Sequence, residues 1–277
     1  MSSPVPAGRL AGLRQRALSA AVLLVIALAG LFSGPVAFEL MVATGGAILA
    51  WEWTRLVGEG RFGLSGLVVG AAVLASGAVA ALRMPGEGLL LAAVGAVAVY
   101  VFARFRGRAQ CAWLAAGPIY IGIPVVCLIW LRGEDNAGLV AILWLLASVW
   151  ATDTGAYFAG RIIGGPKLAP RFSPNKTWAG LFGAMISAAG VGWLANHLVP
   201  MGPTAGALAS AGAVLAVVAQ AGDLLESGVK RRFGAKDSSA LIPGHGGLFD
   251  RVDGLLTAAV AFAFFQWLSD ARTLAWP

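Results

Sequence analysis

The chain has 277 residues, 58% of them hydrophobic and only 12% charged, against about 45–50% and about 25% in ordinary soluble domains. Those proportions exclude a soluble globular domain, a disordered chain and a coiled coil. The 38 Gly and 13 Pro follow no G-X-Y period, which excludes collagen, and the net charge of +7 falls on membrane-flanking loops rather than on a nucleic-acid surface.

A bilayer core takes about 20 apolar residues per helix. Nine apolar runs meet that length in chain order: 17–33, 36–54, 64–82, 88–103, 110–131, 138–160, 178–199, 205–226 and 252–270. They are continuous rather than alternating, which argues against a membrane β-barrel. The predicted fold class is therefore an all-α polytopic membrane protein of about nine transmembrane helices. The first run follows Arg9, Arg14 and Arg16, lacks an A-x-A site and leads through Ser33-Gly34-Pro35 straight into the second. It reads as an anchor rather than a signal peptide. With the N-terminus in the cytoplasm, 17 of the 20 Lys and Arg fall on the cytoplasmic side, and only Arg83, Arg132 and Arg272 fall opposite. That asymmetry is the positive-inside pattern, and it supports the odd number of spans, since losing one would scramble it.

Three segments are expected: N-terminal helices at 1–109, middle helices with a polar loop at 110–177, and C-terminal helices carrying the main catalytic loop at 178–277. Cys111 and Cys127 lie in one apolar run and read as packing residues. Gly30-x-x-x-Gly34 and Gly66-x-x-x-Gly70 have helix-packing spacing, a weak signal in so glycine-rich a chain.

The chemistry concentrates in two places. At 220–253, Asp223 and Glu226 share one helix face at the end of an apolar run, and Asp250 and Asp253 do the same at the start of the last run. Carboxylates at a membrane boundary must be solvated, paired or metal-bound. Hard oxygen donors without thiolate or imidazole clusters favour Mg²⁺. Asp223 lies where a helix C-terminus is expected, which disfavours an acid held there by the dipole alone. Lys230, Arg231, Arg232, Lys236 and Arg251 lie among these acids, and Pro243-Gly-His-Gly-Gly247 forms a loop whose N–H groups can approach an anion. Acids, bases and a Gly-rich turn together suit a metal–polyphosphate site.

The second place runs from Asp153, inside an apolar run, through Lys167 to Ser173-Pro-Asn-Lys-Thr-Trp178. Asp153 needs a partner, for which Lys176 or a metal would serve. Ser173 and Thr177 are candidate caps of the following helix, with Pro174 in its first turn. Candidate catalytic residues are thus Asp223, Lys230, Arg231, Lys236, Asp237, His245, Asp250, Arg251 and Asp253. Candidate substrate-binding residues are Asp153, Lys167, Ser173, Asn175, Lys176, Thr177, Gly246 and Gly247.

The stretch Ser227–Asp253, with Lys230-Arg231, Lys236-Asp237, Ile242-Pro243, His245-Gly-Gly-Leu248 and Asp250-Arg-Val-Asp253, resembles the pattern of the phosphatidate cytidylyltransferase (CDP-diacylglycerol synthase) family. Gln220-Ala-Gly-Asp223 and the 153–177 stretch are also similar to it, so the resemblance covers about 153–253. One departure is Ala179, where many members carry an acid.

The resemblance implies a bacterial inner-membrane homodimer, with the active site facing the cytoplasm, that makes CDP-diacylglycerol and pyrophosphate from CTP and phosphatidate. It implies Mg²⁺ held by Asp223 and Asp250, and a monovalent cation such as K⁺. The lipid phosphate oxygen would attack the CTP α-phosphorus in line. That oxygen is already ionised near neutral pH, which makes His245 a binder rather than a base. Asp253 would orient Arg251 or a metal-bound water. Alternatives from the residues alone are a CTP-dependent lipid kinase and an anionic-solute transporter. A transporter would be expected to show repeats and mid-membrane polar sites, and neither is evident. The Asp-Gly-x-x-Ala-Arg start of CDP-alcohol phosphotransferases is absent.

Overall fold

The computed structural model describes residues 7–58, 60–133, 135–199 and 204–269, with side chains from residue 14 onward. The side chain of Arg9, the start of the expected loop at Pro200, the last residue of the final expected span and Arg272 lie outside the described residues. Among them, nine helical stretches are long and apolar enough to cross a membrane.

These are α1 (Ala7–Phe32), α2 (Pro35–Val57), α3 (Gly63–Ala81), α4 (Pro85–Phe105), the pair α5 (Cys111–Gly117) and α6 (Ile123–Arg132), α7 (Asn136–Ile162), α8 (Trp178–Leu198), α9 (Ala205–Arg232) and α10 (Phe249–Ser269). A π-helical turn, Pro118–Gly122, joins α5 to α6, so that Cys111–Arg132 makes one span. Local chemistry sets the starts. Pro35 and Pro85 occupy first turns, where no N–H is missed. Asp135, Thr177 and Thr204 are N-caps, accepting from the backbone N–H of Gly138, Gly180 and Ala207.

Helix α9 outruns the apolar signal. The ninth helix continues past the expected end at 226 to Arg232, carried by the i,i+4 pair of Glu226 and Lys230 and by three bases in its last turn. Asp223 therefore sits well inside α9, not at its C-terminus. The dipole argument about that residue does not hold. Between α7 and α8 the expected polar loop folds into an antiparallel hairpin, β1 (Lys167–Ala169) and β2 (Ser173–Thr177), pairing Lys167 with Thr177 and Ala169 with Ser173. Thr177 caps α8 as expected, but Ser173 and Pro174 belong to β2. Proline is tolerated there because each strand of a two-stranded hairpin is an edge.

Leu49 and Trp53 of α2, Val73 of α3, Val125 and Ile129 of α6, and Phe249 and Leu256 of α10 are all buried in one core. Cys111 and Cys127 are buried free thiols within it, as packing residues would be. Helices α7, α8 and α9 pack in sequence through small residues. A Cβ on Gly155 would meet Gly183 O at 2.5 Å, and one on Gly212 would overlap Ala188 O. The two G-x-x-x-G pairs do not make such helix–helix backbone contacts: Gly66 faces Phe62 of its own turn, Gly30 faces the flexible Met41 side chain, and Gly34 and Gly70 face nothing.

Candidate active site

Helices α9 and α10 cross closely because Gly222 has no side chain. A Cβ there would collide with Thr257 Oγ1 and lie 3.0 Å from Asp253 O. This approach brings together carboxylates 30 residues apart in sequence. Oxygens of Asp223, Glu226 and Asp253 all lie within 4.8 Å of one another. At that spacing each like-charge pair repels by about 3 kcal/mol for an effective dielectric near 20, so the cluster calls for cations.

Two lysines supply part of the charge. Lys176, at the end of the hairpin, meets Asp223 Oδ2 at 2.5 Å and Gln220 O at 3.3 Å. Lys230 meets Glu226 Oε2 at 2.6 Å and Asp250 Oδ1 at 2.5 Å. The other oxygen of Asp250 accepts from Ser238 N at 2.9 Å, Ser238 Oγ at 2.9 Å and Gly247 N at 2.8 Å. Asp250 thus fastens the 237–249 loop to α9. Gly246 takes φ +84°, a left-handed conformation that favours glycine, and a Cβ on it would lie 2.8 Å from Asp250 Oδ2.

Asp153, on α7, is exposed and interacts through charge with Asp223, Lys176 and Arg251. Lys176, one of its expected partners, is paired with Asp223 instead. Asp253 lies with Asp223 rather than in an ion pair with Arg251 among the described residues. Arg231, Lys236, Asp237, Arg251, Lys167 and Asn175 are exposed. His245 is half-buried. Its N–H donates to Ile242 O at 2.9 Å, and its Nδ1 is buried without a hydrogen-bond partner among the described residues.

Three participants escape the sequence reading. Glu226 has the right helix face there but no assigned role. It is fully buried, and its Oε1 has no hydrogen-bond partner among the described residues. Tyr120, on the π-helical turn, stacks with Trp53 at 5.5 Å and packs on Phe249 at 5.5 Å. Its buried hydroxyl also lacks a hydrogen-bond partner among the described residues, and lies within electrostatic reach of Asp253, Glu226 and Asp223. π-Turns recur at functional sites, but no pattern in the sequence marks this one.

The third is Glu52 of α2, which is fully buried. Its carboxylate accepts from Ser238 Oγ at 3.3 Å, Ser239 Oγ at 2.6 Å, Leu248 N at 2.9 Å and Phe249 N at 2.7 Å. An acid inside the expected span 36–54 was itself a signal. Nearby, Ser19 Oγ of α1 donates to Pro243 O at 2.9 Å. Beside Asp153, an open apolar groove of about 760 Å³ runs between α7 and α8, lined by Trp150, Thr154, Phe158, Phe182 and Ile186.

The cytidylyltransferase family model matches residues 14–269. A phosphatidate cytidylyltransferase of Brucella suis is 41% identical over 262 residues, covering 92% of this chain and 94% of its own. One of Pseudomonas aeruginosa is 37% identical over 272 residues, covering 92% and 97%. One of Haemophilus influenzae is 43% identical over 135 residues, about half of each chain at 47% and 46%.

Proposed function

The chain belongs to the cytidylyltransferase family, and on that premise we propose that it joins phosphatidate to CTP, giving CDP-diacylglycerol and pyrophosphate. The observation that carries this reading is the convergence of Asp223, Glu226 and Asp253 beside Lys176 and Lys230. These groups fall within the two stretches whose sequence points to the activity.

A phosphate monoester is mostly dianionic at neutral pH, its second pKa being about 6. The lipid oxygen attacks the α-phosphorus without a strong base, and the bond from that phosphorus to the pyrophosphate oxygen breaks in line. His245 then serves as a binder, a ring N–H donating to a phosphate oxygen. Lys230 is tied between Glu226 and Asp250, so it holds the site's shape. The exposed Arg231, Lys236 and Arg251 are the bases free to meet the triphosphate and the lipid phosphate. The hairpin adds Lys167, Asn175 and Lys176 to the groups available for the substrates, Lys176 through its place beside Asp223. The apolar groove beside Asp153 provides a bed for an acyl chain.

A divalent cation fits the acidic cluster, whose donors are hard oxygens and whose Glu226 Oε1 is buried without a hydrogen-bond partner among the described residues. Asp223, Glu226 and Asp253 would hold it. Asp250, the other ligand expected from the resemblance, reaches it only by sharing an oxygen already engaged by Lys230 or the loop. Bound Mg²⁺ would offset charge on the phosphates. The lysine and arginine asymmetry supports a cytoplasmic N-terminus and an active site on the cytoplasmic face of a bacterial inner membrane. A homodimer and a K⁺ requirement follow from the resemblance alone.

Purified protein with CTP labelled at the α-phosphate, phosphatidate and Mg²⁺ is expected to yield labelled lipid plus pyrophosphate, and none with a chelator. Label appearing only in CDP, with a new phosphate on the lipid, would instead establish a kinase.

A further inference from the structure

We infer that Glu52 is a positioning residue for the reaction, holding the 238–249 loop and the start of α10 where Asp250 and Asp253 can act. The inference rests on the proposed cytidylyl transfer but concerns a residue in the N-terminal half, far in sequence from the motif.

A fully buried carboxylate is costly unless donors surround it. Among the described residues the four donors to Glu52 all come from the loop before α10 and its first residue: Ser238, Ser239, Leu248 and Phe249. Leu248 and Phe249 supply the amides at the very start of α10, which no residue within that helix can satisfy. Glu52 therefore acts as an N-cap delivered by another helix, with its negative charge at the positive end of the dipole.

Asp250 lies in the first turn of that helix and Asp253 one turn further on, so any shift of its first amides moves both acids. Ser238 Oγ lies 3.3 Å from Glu52 Oε2 and 2.9 Å from Asp250 Oδ2, with one proton to serve both. The second glycine of the Gly246-Gly247 pair gains a specific reason as well. A Cβ on Gly247 would collide with Glu52 Oε1 and Ser238 Oγ, so glycine there admits the carboxylate. Trp53, the next residue, packs on Phe249 at 5.8 Å and sets α2 against α10 from the apolar side.

The test uses the full chain in detergent. Glu52→Gln keeps the size but turns one acceptor oxygen into a donor facing other donors. Amide exchange in the peptide containing Leu248 and Phe249 is expected to quicken about tenfold or more, with α3 and α8 peptides unchanged. The kcat for cytidylyl transfer is expected to fall about 100-fold, and the Mg²⁺ concentration for half-activation to rise at least about threefold. Glu52→Asp, which keeps the charge, recovers about tenfold of the rate. Wild-type exchange and kinetics in Glu52→Gln overturn the proposal, and so does exchange that quickens equally along the whole chain. If Glu52→Gln does not fold, Ser239→Ala removes a single donor. It is expected to cost about three- to tenfold in rate with the same local exchange signature, and an unaltered variant overturns the proposal. Wild-type protein that makes no labelled lipid refutes the cytidylyl-transfer reading, while the exchange measurement still decides whether Glu52 holds the loop.

Discussion

Replacing Gly222 with alanine tests whether the closeness of α9 and α10 sets the geometry of the acids. The added methyl collides with Thr257 Oγ1, lies 2.8 Å from Thr257 Cγ2 and lies 3.0 Å from Asp253 O. Thr257 can rotate, at the expense of its hydroxyl contacts to Val218 O and Gly254 O, each 3.2 Å. The carbonyl of Asp253 is backbone and cannot rotate away, so α10 must move by several tenths of an ångström, and Asp253 moves with it, away from Asp223. Overpacking of this kind costs about 1–3 kcal/mol of stability. A displacement approaching 1 Å at a reacting centre costs about 100-fold in rate. Initial rates of lipid labelling, normalised to folded protein by gel filtration, are therefore expected to fall between about 10- and 100-fold. The double variant Gly222→Ala with Thr257→Ala relieves the side-chain clashes but not the one with Asp253 O, and should recover only a minor part of the loss. A single variant running at the wild-type rate would refute the claim that this crossing sets the Asp223–Asp253 distance.

Asp223→Asn and Asp250→Asn are each expected to abolish CTP-dependent turnover while the protein stays folded in detergent; near-normal rates in both would remove these acids from the mechanism. Asp253→Asn is expected to raise the Mg²⁺ concentration needed for half-activation, measured by titration at fixed CTP. Lys230→Met leaves Glu226 and Asp250 buried without their shared cation. Removing one partner of a buried pair costs about 3–5 kcal/mol, so its denaturation midpoint should drop clearly, and an unchanged midpoint would show that another cation compensates.

The nine spans were legible because each is a continuous apolar run, and the shared face of Asp223 and Glu226 because helical spacing is a local property. The 237–253 loop was legible as chemistry but not as architecture. Its fastenings come from Glu52, 186–197 residues away in sequence, and from Ser19, 224 residues before Pro243. No local periodicity encodes contacts of that range. Glu52 nevertheless carried a warning that the reading passed over, since the rule that singled out Asp153, an ionisable group inside an apolar span, applies to it equally. The hairpin was missed because Ser173-Pro174 has the chemistry of a helix start, and only pairing with Lys167–Ala169 decides otherwise. The pairing of Lys176 with Asp223 rather than Asp153 likewise depends on how α7, α8 and α9 stack.

The long reach of the Glu52 contacts bears on the order in which the molecule is completed during translation. A chain made from its N-terminus inserts α2 long before the ribosome reaches residue 249. Throughout that interval the carboxylate waits in an apolar setting for donors not yet synthesised, a costly state for a charged group. Arrival of the loop before the last helix, and of that helix's first residue, then supplies those donors. A chain ending before residue 238 would leave the acid without any of them, and is expected to be less stable for it.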